Sequence, residues 1–293
     1  MRNTRYEFLV LLSSLLMLTG CSRRDILDDY PVSGVEISLD WNGVTNKLPE
    51  GVRVIFYPKN AEGRKIDTYL SVKGGKVKVP PGRYSVVVYN YDTETVQIRG
   101  EEAYETIEAF TGHCNGLGIA GTEQLVWGPD PLYVVRIDDL KIENSEEELQ
   151  LNWKPKLVVK TYSFKLKVQG LEYVSSIVGS IEGMSSCYDL GLGCGKAGDS
   201  PIYFAARGSA GEVTGSFTVF GTSEGVISRA GNAIKLTLAF VKTDNKVQKM
   251  EVDITEVIAN SESGGSGGDD DGDEPFKEIE LPVEDEVKVD KPD

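Results

Sequence analysis

The chain has 293 residues, 40% apolar and 26% charged, which is enough material for two domains of ordinary size. Its 31 basic and 46 acidic side chains give a formal charge of −15, which repels a phosphate backbone and argues against nucleic acid as a partner. A single histidine excludes any site that needs two imidazole ligands and leaves little room for His-dependent hydrolysis.

Arg2 and Arg5 precede an apolar run over 8–18 interrupted only by Ser13 and Ser14, and the run ends in Leu18-Thr19-Gly20-Cys21. Eleven helical residues reach about 16 Å, roughly half of a bilayer core of about 30 Å, so the run is too short to span. Residues 1–20 read as a cleaved signal peptide, cut between Gly20 and Cys21. The segment resembles a bacterial lipobox, and that resemblance implies acylation of Cys21, a membrane held through that lipid, and a lipidated linker over 21–31. An exported chain can keep disulfides. Cys187 and Cys194 bracket a short loop and can close it if their Cα atoms lie within about 7 Å; they can equally stay free. Cys114, beside His113, reads as a buried thiol rather than a nucleophile.

From Val35 onward the chain is a series of short β-branched and aromatic runs separated by Gly, Pro, Asn and Asp. Val35-Glu36-Ile37-Ser38-Leu39 alternates with period two, as do runs over 52–57, 75–79 and 84–89, and these predict half-buried antiparallel strands. Glu101 opens the one segment, 101–110, with helical spacing, through Tyr104 and Ile107. Further strands are expected over 133–137, 149–153, 157–160, 162–168, 202–206, 215–220, 234–241 and 247–254. The fold class is therefore all-β, a pair of antiparallel sandwiches divided as 32–158 and 159–293. Within the second, residues 261–275 predict a flexible acidic loop before a last edge strand over 279–289, where Pro282 is tolerated. Thirteen acids and three lysines lie beyond Asn260, so most of the negative charge belongs to this tail.

Several motifs lack the context their chemistry requires. Gly116-Leu117-Gly118-Ile119-Ala120-Gly121 matches a dinucleotide fingerprint but has neither a strand before it nor a helix after it. The run before Lys196 lacks the first P-loop glycine, and Ala197 replaces the hydroxyl residue that holds magnesium. Asp269, Asp271 and Asp273 fall near calcium-loop spacing, but Gly267 occupies the first ligand position and Pro275 interrupts the stretch. The sequence thus indicates no cofactor, no metal site and no catalytic constellation. Of Trp41, Trp127 and Trp153, only Trp127 sits in a loop context, before Gly128-Pro129, where an exposed ring could stack on a sugar.

Val79-Pro80-Pro81-Gly82-Arg83-Tyr84 followed by Ser85-Val86-Val87-Val88-Tyr89-Asn90 resembles the entry and strand of transthyretin-like sandwich domains. Together with the lipobox, Gly128-Pro129-Asp130-Pro131-Leu132-Tyr133-Val134, Val213-Thr214-Gly215-Ser216-Phe217 and Val252-Asp253-Ile254-Thr255-Glu256, it is similar to the Bacteroidales fimbrial anchor and accessory lipoproteins. The resemblance implies two tandem transthyretin-like sandwiches on a lipid anchor in the outer membrane, exposed at the cell surface and non-enzymatic, with pilin-like subunits as partners by strand exchange. It departs from stalk subunits, because Arg23 and Arg24 lie beside the lipidated residue and offer no separate trimming site. The alternative is a surface glycan-binding lipoprotein, with polysaccharide as partner and Trp127 as its contact.

Overall fold

The computed structural model describes residues 33–60, 63–114, 124–196, 200–220, 233–263, 276–283 and 287–292. Cys21, the 116–121 glycine motif and residues 264–275 of the acidic stretch lie outside them. The first part of the chain runs through β1 (Ser33–Leu39), β2 (Gly51–Pro58), β3 (Ile66–Ser71), β4 (Gly74–Val79), β5 (Gly82–Asn90), β6 (Val96–Arg99), β7 (Glu108–Thr111), β8 (Val126–Trp127), β9 (Tyr133–Ile142), β10 (Leu149–Trp153) and β11 (Lys156–Leu157). It continues through β12 (Val159–Gln169), β13 (Val174–Glu182), β14 (Cys187–Asp189), β15 (Cys194–Lys196), β16 (Ile202–Ser209), β17 (Glu212–Phe220), β18 (Lys235–Lys242) and β19 (Val247–Asp253). A helix, α1 (Thr255–Ser263), then leads to β20 (Phe276–Glu280) and β21 (Val287–Lys288).

The fold is all-β, built on two curled sheets. The first has the order β10-β1-β4-β3-β2-β5-β9-β11 and folds over a core of Val35, Ile37, Val54, Phe56, Val79, Val86, Val88 and Trp153. The second has the order β19-β18-β13-β16-β17-β12-β20 and wraps a core that includes Tyr162, Phe164, Phe204, Phe217, Leu236, Leu238 and Phe240. Two inward positions of this sheet are glycine for a steric reason. Gly179 pairs across the strands with Phe204, and Gly215 pairs with Phe164. A Cβ on either glycine would run into the opposing ring, so each glycine supplies the floor on which an aromatic lies flat.

A third core binds the two sheets together. β2 and β5 are buried on both faces, not one, as the near-continuous Val86-Val87-Val88-Tyr89 run requires. Their second face presents Ile55, Tyr57, Val87 and Tyr89 to Val96 of β6, to Ile107 just before β7 and Ala109 within it, and to Val159, Leu190 and Phe220 from the later part of the chain. The segment expected to be helical makes a single turn, with the Ile107 amide bonded to the Ala103 carbonyl. Period-two burial of Ile107 and Ala109 then commits it to β7.

The halves also exchange strands in both directions. β8 from the first part pairs in parallel with β16, Val126 against Ile202, and Val126 enters the second core. Conversely β14 pairs with β7, Cys187 against Phe110 and Asp189 against Glu108, so the four-stranded sheet β15-β14-β7-β6 draws on both parts. Lys196 ties this sheet by its ammonium, 2.8 Å from Glu108 and 3.0 Å from Asp189, while Arg99 pairs with Glu108 from the other side. Arg136 on β9 donates to the Gly191 and Leu192 carbonyls at the tip of the β14–β15 hairpin, 2.9 Å each. In this hairpin Cys187 stands opposite Lys196 and Cys194 opposite Asp189. The two cysteines are therefore diagonal neighbours, roughly 7–8 Å apart in such a pair, and both are free thiols.

Two outcomes follow from this packing. Gly179→Ala should lower stability by about 1–3 kcal/mol through overpacking, and adding Phe204→Leu should recover part of the loss. Urea unfolding of the wild type, the two single variants and the double variant measures both, and an unchanged midpoint for Gly179→Ala would show that the ring yields freely. The Glu108 carboxyl is pushed up by burial, but hydrogen bonds and charges from Lys196 and Arg99 outweigh this and hold it below the usual carboxylate range. Its stabilising contribution is in place above the unfolded value, near pH 4.3, and is lost as pH falls through the lower folded value. Glu108→Gln should therefore flatten the acid limb of stability below about pH 4.5; an identical acid limb in the variant would refute the assignment.

Candidate functional site

The second sheet does not close on itself. Among the described residues β19 pairs only with β18, and β20 and β21 pair only with β12, so two strand edges face each other across a seam. β20 and β21 lie parallel to β12, with Phe164 opposite Ile279 and Val168 opposite Val287. Between them Leu281 and Val283 form a tight turn around Pro282, which has no amide hydrogen to offer a ladder. This is the last edge strand expected from sequence, split in two.

Three local features fill the seam. At one end α1 plugs it. Asp253 accepts the amide of Thr255 at 2.9 Å, and Ile254 and Ile258 are fully buried in the second core. This helix was not expected from the sequence, and residues 261–263, assigned there to the acidic loop, form its last turn. Lys277 of β20 donates to the Ser261 carbonyl at 2.8 Å and ties the strand to the helix. At the other end the chain after β21 seats Val289, 1% exposed, with its amide on the Gln169 carbonyl at 2.9 Å.

The third feature is Gln248 on β19. Its side-chain amide donates to the Lys288 carbonyl at 2.8 Å and accepts from the Asp290 amide at 3.0 Å. It thus mimics a paired backbone residue and bridges the two edges where no ladder forms. Gly170 makes room for this end: at φ 82° it takes a left-handed conformation, and a Cβ there would strike the Val289 carbonyl. An open groove of ≈ 940 Å³ lined by residues 167–172 and 208–212 lies at the same pole. Along the seam Met250 and Val252 of β19, Val257 of α1, and Val283 and Val287 of the terminal segment are only partly buried.

Chemically, the seam offers backbone donors and acceptors that no ladder takes up among the described residues, beside half-exposed apolar sockets, which is the equipment for adding an extended strand. The inward series on β19 runs Gln248, Met250, Val252, and the polar residue in that apolar series was the available sequence signal. The other candidates lie elsewhere. Trp127 is 38% exposed and meets Tyr203 edge-on, with ring centroids 5.4 Å apart, on the outer face of β8 and β16. Trp41 and Trp153 are core residues; the Trp41 indole donates to the Val72 carbonyl at 2.6 Å. Cys114 is a buried thiol that burial pushes above its ordinary pKa. Cys187 and Cys194 belong to the four-stranded sheet and do not reach the seam. Gly20 and Cys21 lie outside the described residues.

A family profile described as a domain of unknown function, DUF5119, matches residues 20–205. A Bacteroides ovatus protein that carries the assigned name fimbrium anchoring subunit Fim4B is 61% identical over 305 aligned positions, which take in 100% of this chain and 91% of that protein. A crystal structure from the same species, of a protein assigned as an adhesin, superposes with a TM-score of 0.77 at 57% identity, covering 94% of this chain and 98% of that one. The fimbrial anchor protein Mfa2 from Porphyromonas gingivalis shares the fold with a TM-score of 0.51 at 12% identity, over 80% of this chain and 85% of that one.

Gln248→Ala removes both hydrogen bonds across the seam and should loosen the terminal segment by about 1 kcal/mol while leaving the sheet intact. Native-state hydrogen exchange should then show faster exchange at the Val289 and Asp290 amides and unchanged rates in β13 and β18. Equal acceleration throughout the second sheet would mean that the seam does not open independently.

Proposed function

Because the chain belongs to the DUF5119 family and to the Bacteroides fimbrial anchor and adhesin group that Fim4B represents, we propose that it is a non-enzymatic fimbrial anchor or assembly accessory protein working through its sheet edges. Kinship along the whole chain supports the role. The observation that carries the mode of action is the seam of the second sheet, bridged without a ladder, with β19 paired on one side and the β20–β21 segment held on one edge among the described residues. Its partner is a fimbrial subunit that adds an extended segment there. Backbone hydrogen bonds supply affinity, and the half-exposed Met250, Val252, Val283 and Val287 supply register.

The finer parts of this reading follow from the sequence. Lipid on Cys21 anchors the chain to the outer membrane, with the folded part displayed at the cell surface; buried methylenes contribute about 0.8 kcal/mol each, so a doubly or triply acylated terminus holds firmly. The chain divides as 32–158 and 159–293, two sandwiches of transthyretin-like type, with the entry Pro80-Pro81-Gly82 and strand β5 as the motif that supports the assignment. Trp127 with its single edge-on neighbour offers one ring rather than a platform, which favours the subunit over the polysaccharide as partner.

Extraction of host outer membranes in mild detergent, followed by capture of the protein and mass spectrometry, tests this. Wild type should retain fimbrial subunits. Met250→Lys places a charge at the seam edge and should cut that yield several-fold, with the circular dichroism spectrum unchanged. Cys21→Ala should move the protein out of the membrane fraction and abolish palmitate labelling. Absence of any fimbrial subunit from the wild-type capture would sink the anchor reading, and an undiminished yield with Met250→Lys would sink the seam as its site.

A further inference from the structure

Far from the seam, two of the most exposed large side chains meet on the outer face of the first sheet. Tyr69 of β3 is 60% exposed and Tyr91, just past β5, is 45% exposed; their rings stand 5.3 Å apart at 79°. Held at nearly a right angle, they form two walls of an open corner rather than a flat platform.

Both rings are held in place by neighbours on β2. Tyr91 leans across β2 at Gly51, where a Cβ would lie 2.7 Å from the Leu70 carbonyl and 2.8 Å from the Tyr91 hydroxyl, so glycine makes room for both the neighbouring strand and the ring. Arg53, directly opposite Tyr69 in the ladder, places its guanidinium 5.6 Å from that ring. Arg53 is itself locked: it donates to Asp67 at 2.9 and 2.7 Å, to the Tyr89 hydroxyl at 2.8 Å and to Glu101. Asp67 and Glu101 more than neutralise it, so it supports the ring without making the corner electropositive.

The rim of the corner is acidic. The backbone amide of Glu50 donates to Asp92 at 2.9 Å, which brings together the residue before Gly51 and the residue after Tyr91. Asp92 also accepts the Asn90 side-chain amide at 3.1 Å. Both residues are exposed, and among the described residues no lysine or arginine pairs with either carboxylate. Aromatic faces near carboxylates that no basic side chain neutralises among the described residues are the chemistry that recognises a cation, since the ring quadrupole and the carboxylates attract the same charge. A neutral sugar would have no use for the acidic rim.

We infer that the Tyr69–Tyr91 corner with Glu50 and Asp92 is a docking point for a basic side chain, lysine or arginine, presented by a partner subunit. The inference rests on the anchor reading for the identity of the partner, but its chemistry is independent of the seam. It gives the protein a second, charge-selective contact on the other sheet.

The test uses the full-length protein in detergent with ¹³C-labelled tyrosine rings, and Tyr69→Phe and Tyr91→Phe to assign the two signals among the 13 tyrosines. Titration with tri-lysine amide should shift Tyr69 and Tyr91 saturably, and triglycine amide should not. Tyr69→Leu, Tyr91→Leu, or Glu50→Gln with Asp92→Asn should each weaken binding about three- to fivefold, as expected for an exposed cation–π site. Unshifted signals from the other tyrosines confirm that the variants remain folded. The inference falls if neither ring responds, if triglycine amide shifts them equally, if the variants bind tri-lysine as tightly as wild type, or if the rings respond to cellohexaose instead. Fimbrial subunits captured by a protein whose corner ignores tri-lysine would overturn this contact and leave the anchor reading standing.

Discussion

Two-sided burial of β2 and β5 is the constraint on which the rest of the molecule depends. A strand with one apolar face needs one partner layer, whereas Ile55, Tyr57, Val87 and Tyr89 demand a second, and the first half of the chain supplies only part of it. Leu190 and Phe220 complete that layer from the second half. The strand exchanges through β8 and β14 then follow as the means of holding those residues in place: the second half must reach back to cover the first, and the first must thread into the second. Each full burial of such a side chain is worth about 1.5–3 kcal/mol, so the shared core outweighs the surface ion pairs around it.

Against that rigid centre, the second sheet is left unfinished by the same chain that completes the first. Its seam is closed by improvised parts: a short helix, a side-chain amide standing in for a backbone, and a terminal segment broken at Pro282. These have few ladder hydrogen bonds and several half-exposed apolar groups, which is the local signature of low stability. The fold thus separates a stiff region, where sheets are shared, from a compliant edge, where a partner strand has something to gain.

How much of this was legible in the sequence depended on how local its cause was. Strands with period-two alternation, such as Val35 to Leu39 and the Tyr162-Phe164-Leu166 series, declared themselves. β13 did not, because Ser175, Ser176, Gly179 and Ser180 dilute its apolar phase, and its glycine makes sense only once Phe204 lies opposite. The 101–110 helix was a wrong period assignment: Tyr104 and Ile107 fit helical spacing, but Ile107 and Ala109 are drawn into the shared core. α1 carried fair signals, Asp253 before Ile254, Val257 and Ile258, but they overlapped an alternating strand and were absorbed into it. The site was less legible than the fold. Gln248 was visible as a polar residue in an apolar series, but its partners at 288 and 290 are about forty positions away, and the corner made by Tyr69 and Tyr91 depends on Gly51 lying between them. Pairings across such distances leave no local trace.

The shared core also sets the order in which the protein can mature. A chain emerging from the amino end presents β2 and β5 with one face covered and the other bare until Leu190 and then Phe220 have followed. The first half is therefore not a unit that can finish folding alone during synthesis or passage across a membrane. Its exposed valine- and tyrosine-rich surface must be kept from aggregating meanwhile, and its last step of folding, slowed by contacts distant in sequence, coincides with completion of the second half. Truncations ending anywhere from residue 158 to 219 should then behave as sticky, incomplete chains even though they contain every strand of the first sheet.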